Sequence, residues 1–398
     1  MENKETCFLQ QFFETSKEKM KSNNIKICLG SEACDPDSFV SSLAIALHEK
    51  CVMAVNMSRV VFESKKEMIL LCKMFNISLD DLVFIERPRG KFPLKIRIQG
   101  TLLRLGKEEY KLSDKILTLI IVDHHIPIEE LRHFELDMII DHHPLSDKSL
   151  FAKRIYCDVE MGSCCTLISK FIGHSLLSSK ESKNEYFQSE RICTNLAKML
   201  AIPIVFDTNN FQKVTSHFDK GEYRQLVKIA SKDQKVVKKE KKREIKEIVK
   251  KMKSARKDVA QLDNELILMQ DFKKIDHQGF IFGYSTIKYP FEQWVDREAK
   301  RKCDNNEKKA GIYLEIALSD FRREHGLDFL IVNFKHKNKR FLILINCPIE
   351  SMLVKSKKFE SLNYKSLPYY KVEVPYTRKV IVPIMKKLLD KISEKDKQ

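Results

Sequence analysis

The sequence predicts an α/β chain with a doubly wound, mostly parallel sheet in its N-terminal part and a smaller α/β domain behind it. Three observations lead there. Apolar runs at 25–29, 51–57, 82–86, 119–122, 138–140 and 155–159 are bounded by turn chemistry, as strands buried on both faces are. Segments of helical spacing at 39–48, 64–75, 163–176 and 192–200 alternate with them, the order that builds a parallel sheet by crossovers. A second series of elements follows the lysine-rich stretch 232–257: strand-like segments at 279–287, 329–332 and 341–345, with a helix around Trp294. The expected domains are 1–215 and 236–398, joined by a hinge over 216–235. Residues 88–114 are basic and irregular and predict no element.

Two of the strands carry the chemistry. Within TLIIVDHHIPIEELRHFELDMIIDHHPL, residues 118–145, each apolar run ends in Asp-His-His, which places Asp123 and Asp141 at strand ends. In an open parallel sheet the carboxyl ends of the strands are where ligands bind. One aspartate at such a place is an ordinary turn former. Two triplets eighteen residues apart ask for more.

The strand at 25–29 runs into GSEACDPDS, residues 30–38. Asp37 or Ser38 can cap the helix that follows, but a cap does not account for the second carboxylate, Asp35, two residues earlier. The run IPIVFDT, residues 202–208, reads as a further strand ending in Asp207. Carboxylates with one or two imidazoles and no thiolate suit Mn or Mg better than zinc or copper. Several carboxylates in one cleft would repel each other without cations. Two divalent ions that clamp an attacking water and a leaving oxygen match this inventory.

Composition narrows the partners. The 398 residues are 43% hydrophobic, enough to bury the cores of two domains. Eleven cysteines without CxxC spacing argue against a disulfide framework or a zinc ribbon and for reduced thiols. The first twenty residues lack the apolar core of a signal peptide, and no run approaches a membrane span, so a cytoplasmic protein with no membrane partner is expected. A net charge of +17 favours an anionic partner. Within 232–257, Ile245, Ile248, Val249 and Met252 recur at helical spacing, which predicts an amphipathic helix with a solvated basic face. No aromatic residue interleaves its lysines, so nucleic acid is not the expected partner.

With GSEACDPDS, IIVDHH, IIDHHP, EMGSCCT from Glu160 and IVFDT in this order, the chain resembles the DHH phosphoesterase superfamily. Within it, the resemblance is to the branch of exopolyphosphatases, family II inorganic pyrophosphatases and Prune proteins. It implies that Asp35, Asp37, Asp123, His142 and Asp207 hold two Mn2+ or Mg2+ ions, with Asp123 and Asp207 bridging them. It implies that His143 contacts phosphate, that Asp123, His142, His143 and Asp207 form the catalytic group, and that the Gly162-Ser163 turn opens a helix able to hold an anion. His124 and His125 are expected only to support the others.

The same resemblance extends to a DHH-associated C-terminal domain. Asp271-Phe272-Lys273 matches its D-x-K motif, and Thr377-Arg378-Lys379 matches its Ser-Arg-Lys motif with threonine for serine. Together with His143, then, Lys273, Arg378 and Lys379 are expected to bind substrate in a cleft between the domains. Ser31 stands where the pyrophosphatases have a histidine ligand and exopolyphosphatases usually asparagine. The chain has no Gly-Gly pair, which argues against the nuclease branches. The implied activity is hydrolysis of terminal phosphoanhydride bonds of short inorganic polyphosphate. The alternatives are an inorganic pyrophosphatase, a cyclic nucleotide phosphodiesterase, or a Prune-like regulatory binding protein with weak activity.

Overall fold

A computed structural model of the chain describes residues 7–145, 151–174, 177, 182–213, 215–232, 238–336, 339–355, 359–364, 366–372 and 378–395. It divides into two units, one of residues 1–88 and 94–255, the other of 89–93 and 256–398.

The first unit begins with α1 (Gln10–Met20), β1 (Asn24–Leu29), α2 (Pro36–His48), β2 (Val52–Val55), α3 (Arg59–Ser64), α4 (Lys66–Met74) and β3 (Val83–Glu86). It continues with α5 (Leu94–Gly100), β4 (Leu102–Leu105), β5 (Glu108–Lys111), β6 (Ile116–Val122), β7 (Glu135–Asp141) and β8 (Arg154–Cys157). Four helices complete it: α6 (Cys164–Ile172), α7 (Glu190–Asp207), α8 (His217–Ala230) and α9 (Lys238–Ala255).

Its eight described strands run in the order β5-β4-β3-β2-β1-β6-β7-β8. The six from β3 to β8 pair in parallel, and β4 and β5 add an antiparallel edge. Ile27, Leu29, Leu119 and Ile121 enter one apolar cluster on one face, while α2 packs on β1, β2 and β6. Covered on both sides, these strands are the continuous apolar runs seen in the sequence. The chain leaves β1 to one side for β2 and returns on the other side as β6. The crevice beyond the carboxyl ends of β1 and β6 is therefore the topological switch point, where such sheets bind ligands.

Three expectations are corrected. Residues 202–208 are not a strand: α7 runs unbroken through Pro203 to Asp207, and Ile202, Ile204, Val205 and Phe206 are buried within it. A short apolar run cannot be assigned by periodicity when a helix is buried all round. The expected hinge at 216–235 contains α8, opened by a capping box between Ser216 and Asp219. Beyond it, α9 buries Ile245, Ile248, Val249 and Met252 and packs against α4 and α7, so the division falls after residue 255. Burial of four such side chains, at about 1.5–3 kcal/mol each, is ample to hold α9 on the first unit. Finally, the irregular 88–114 stretch holds α5 and the β4–β5 hairpin.

The second unit comprises α10 (Asn264–Met269), β9 (Phe272–His277), β10 (Phe280–Thr286), α11 (Phe291–Lys302), α12 (Glu307–Glu324), β11 (Phe329–His336) and β12 (Lys339–Ile345). It closes with α13 (Glu350–Lys355), β13 (Phe359–Tyr364), β14 (Leu367–Val372) and α14 (Arg378–Lys395). Its described strands run β13-β14-β12-β11-β10-β9. Only β10 and β11 among these pairs are parallel, and the crossover between them is α11 and α12. One face packs on Trp294, Val295, Leu314, Leu318 and Phe321, the other on Leu353, Ile381, Met385 and Leu389. Among the described residues no helix is long and apolar enough to cross a membrane. All eleven cysteines are free, and nine of them are buried.

Candidate functional site

The switch point is where the triplets open. Asp123 follows β6 directly in a left-handed turn, φ 60°, with its N–H on the Ile140 carbonyl at 2.9 Å. Its buried carboxylate lies 3.3 Å from His142 Nε2 and 4.0 Å from His143 Nδ1. Asp123, His142 and His143 offer ligand atoms that all lie within 4.8 Å of one another, so they could hold a metal ion. The other ring nitrogen of His142, Nδ1, is 2.9 Å from the Met161 carbonyl. Since a carbonyl only accepts, Nδ1 carries a proton and Nε2 is the atom presented to Asp123.

Asp141 has a different task. It is the last residue of β7, paired with Cys157 of β8, and is fully buried. Its carboxylate receives His125 Nδ1 at 2.7 Å, His143 Nδ1 at 2.8 Å and the His143 backbone N–H at 3.1 Å. Burial alone would raise this carboxyl, but the two imidazoles outweigh it and hold it well below the usual carboxylate range. Asp141 thus aims His143, and His125 braces Asp141.

From the β1 side, Gly30 lets the loop turn tightly. A Cβ there would sit 2.3 Å from Ser38 Oγ and 2.7 Å from the Ser38 carbonyl, so only glycine fits. The Ser38 hydroxyl accepts the Ser31 N–H and donates to Ser31 Oγ at 3.1 Å, which makes Ser31 a brace of this turn. Asp35 is the N-cap of α2 and accepts Ser38 N–H at 3.1 Å. Asp37, buried in the first turn, accepts Ser163 Oγ at 2.8 Å, Cys164 N–H at 2.7 Å and Cys165 N–H at 2.8 Å.

This last arrangement revises the expectation for Gly162-Ser163. The N-terminus of α6 does hold an anion, and the anion is the chain's own Asp37 carboxylate. Oδ1 takes two of the three hydrogen bonds and Oδ2 one, which leaves Oδ2 with lone-pair capacity for a cation. Sequence reasoning missed Asp219, which is fully buried and grips the turn from behind. It accepts Gly162 N–H at 3.0 Å and Thr166 Oγ1 at 2.6 Å. Its readable signal was the Ser-x-x-Asp capping pattern that starts at Ser216.

The charges at the switch point conflict. Burial pushes the Asp123 carboxyl up, and neighbouring Asp35 and Asp37 add to the shift against the pull of His142. Burial works against a charged His142, yet its hydrogen bond to Asp123 and the charges of Asp37 and Asp123 raise it to about 9. A buried group of oxygens and imidazoles with excess negative charge is a donor set that fits a hard divalent ion. Asp207 ends α7, half-buried, at the negative end of that helix.

In the second unit, Asp271 precedes β9, and Arg378 Nη1 donates to its Oδ1 at 2.8 Å. Lys288 Nζ stands 3.4 Å from Asp271 Oδ2. The two motifs, 107 residues apart in sequence, therefore meet through Asp271 and Arg378. Lys273 is half-buried in β9 opposite Tyr284. Thr377 and the Lys379 side chain lie outside the described residues. Lys288 and Arg340 were not foreseen: Arg340 Nη1 donates to Asn333 Oδ1 at 3.2 Å, and Asn333 Nδ2 to the Tyr284 hydroxyl at 2.6 Å.

Two family models match the chain. The DHH family, N-terminal domain, matches residues 26–204, and the DHHA2 domain matches residues 250–388. A Schizosaccharomyces pombe protein assigned as an exopolyphosphatase is 26% identical over 325 residues, covering 78% of this chain and 73% of the relative. Exopolyphosphatase PRUNE1 of Rattus norvegicus is 25% identical over 344 residues, covering 83% of this chain and 65% of the relative. This chain thus spans just under two thirds of that mammalian protein. The crystal structure of a Methanococcus jannaschii protein assigned to the family II inorganic pyrophosphatases superposes with a TM-score of 0.56 at 18% identity. That superposition covers 92% of this chain and 99% of the archaeal one, and it bears on fold alone.

Proposed function

This chain belongs to the exopolyphosphatase and Prune branch of the DHH superfamily, and we propose that this phosphoanhydride hydrolase removes terminal phosphoryl groups from short inorganic polyphosphate. We further propose a cytoplasmic setting and two divalent cations, Mn2+ or Mg2+, held by Asp35, Asp37, Asp123, His142 and Asp207. Bound there, the cations supply Lewis-acid stabilisation of phosphoryl oxygens and lower the pKa of the attacking water.

The remaining work falls to the chain's own groups. His143, aimed by Asp141, donates to a phosphoryl oxygen. Lys273, Arg378 and Lys379 neutralise the phosphate groups, with the arginine able to grip two oxygens at once. Such catalysis is largely positioning and charge stabilisation.

The observation that carries this reading is the convergence of Asp123 on His142 at 3.3 Å, with Asp35 and Asp37 close enough to act on the same carboxylate. The test is phosphate release from tripolyphosphate, pyrophosphate and a cyclic nucleotide, each with Mg2+, Mn2+ or chelator. Fastest turnover of tripolyphosphate, abolished by chelator, is expected. Turnover that ignores chelator, or a preference for the cyclic nucleotide, overturns it.

A further inference from the structure

Asp271 is surrounded by more positive charge than it can balance. Arg378 and Lys288 both reach its carboxylate, at 2.8 and 3.4 Å. Arg340 and Arg256 both act on Lys288 as like charges, and Arg340 and Arg378 both act on the Tyr284 hydroxyl. The ammonium of Lys288 titrates below the ordinary lysine value because protein surrounds the head group, with the two arginines adding to that against the pull of Asp271. Counting only Arg378, Lys288 and Arg340 against Asp271, two positive charges remain in excess.

The fold also invests buried polar groups in holding this arrangement. Asn333 and Tyr284 are almost wholly buried, 1% and 0% exposed. Such groups cost free energy unless paired. Here they form a chain from the Tyr284 hydroxyl through Asn333 to the Arg340 guanidinium, which fixes where the guanidinium can point. The three cationic side chains nevertheless keep part of their surface in solvent: Lys288 and Arg378 are 38% and 28% exposed, and Arg340 is half-buried. α14 begins at Arg378 with no acidic residue in its first turn, so the positive end of an 18-residue helix adds to the excess.

We propose that Lys288 and Arg340 extend the phosphate-binding face around Arg378, so that the second unit binds two or more phosphoryl groups of a linear oligophosphate at once. A single phosphate group carries about −1.5 to −2 at neutral pH, which at most matches the two excess charges counted above and leaves the positive helix end over. A chain of phosphoryl groups brings more charge spread over a longer reach. Arg378 then exchanges part of its contact with Asp271 for the oxygens of one phosphoryl group, while Lys288 and Arg340, the latter held by Asn333, take the groups next along. The ligand's identity rests on the function proposed above, whereas the basic cluster does not.

The experiment is calorimetric titration of the full chain, in chelator, with tripolyphosphate and with orthophosphate. Lys288→Met and Arg340→Met are each expected to weaken tripolyphosphate binding about tenfold, the loss of one charge-assisted contact, and to leave orthophosphate within about twofold. Unchanged tripolyphosphate affinity overturns the proposal. So does an equal loss for both ligands. If Arg340→Met fails to fold by thermal melting, Lys288→Met decides alone, since its stem is exposed. Chelator removes turnover, so failure here leaves the proposed hydrolysis standing. Conversely, a chain that hydrolyses nothing but binds in this pattern leaves the oligophosphate site standing.

Discussion

Asp123 and Asp141 open identical triplets, yet Asp123 lies one residue beyond β6 while Asp141 is still inside β7. The neighbouring strands decide this. β1 ends at Leu29 opposite Ile121, so the chain after Val122 has left the sheet on that side. β8 continues to Cys157 opposite Asp141 and keeps it paired. One carboxylate is delivered to the switch point, and the other is buried as a holder of imidazoles. The imidazoles are exchanged between the triplets: His125 of the first reaches Asp141, and His142 of the second reaches Asp123. Identical local sequence therefore yields a candidate ligand in one place and a support in the other, and pairing register is what separates them.

The largest test of that contrast is activity. Asp123→Asn is expected to reduce metal-dependent phosphate release by at least about 10³-fold, the scale of removing a central electrostatic group. In chelator its melting temperature should not fall, since the substitution relieves repulsion from Asp35 and Asp37. Asp141→Asn should behave in the opposite way, losing activity by only about 10–100-fold, the usual cost of removing a ligand's support. It should lose about 3–5 kcal/mol of stability by denaturant unfolding, because the amide cannot accept from both imidazoles and the His143 N–H. Equal effects of the two substitutions would erase the distinction.

The smallest effect is in pH. Asp141 has a folded-state pKa below its ordinary value, so its contribution to stability is present above about pH 4 and is lost as pH falls further. Asp123 has a folded-state pKa above its ordinary value, so the metal-free protein loses stability as pH rises from about 4, where the unfolded chain gives up its proton first. In chelator, Asp141→Asn should flatten the acid limb of the stability profile, and Asp123→Asn should flatten the decline above it. Denaturant midpoints across the pH range read both. A profile in which either variant flattens the other's limb would mean the roles are reversed.

Much of this was legible in the chain alone, and the parts that were not share a cause. β1, β6 and β7 announce themselves because both faces are covered, which forces unbroken apolar runs, and their ends are marked by charged residues. β4 and β5 are at the sheet edge, where LLRL and EEYK need only alternate weakly, and they were missed. Residues 202–206 are buried within a helix rather than a strand, and composition does not separate those two cases. Asp35, Asp37, Asp123 and His142 could be nominated from motif order, but the partner of Asp37 could not. That α6 would turn its N-terminus on Asp37, 126–128 residues away, is a fact of tertiary packing. Lys288 and Arg340 stand in ordinary surroundings in sequence, and only the fold of the second unit brings their charges within reach of each other.

The left-handed backbone at Asp123 has a consequence for which replacements this position tolerates. For most side chains that conformation costs about 1–2 kcal/mol, whereas aspartate and asparagine enter it readily. Glutamate would keep the negative charge and still suffer twice, once in the torsion and once in an extra methylene that carries the oxygens past their mark. Asparagine keeps the bend and forfeits only the charge. The position is screened by shape before it is screened by chemistry, and an acidic residue of the wrong length fails the first screen.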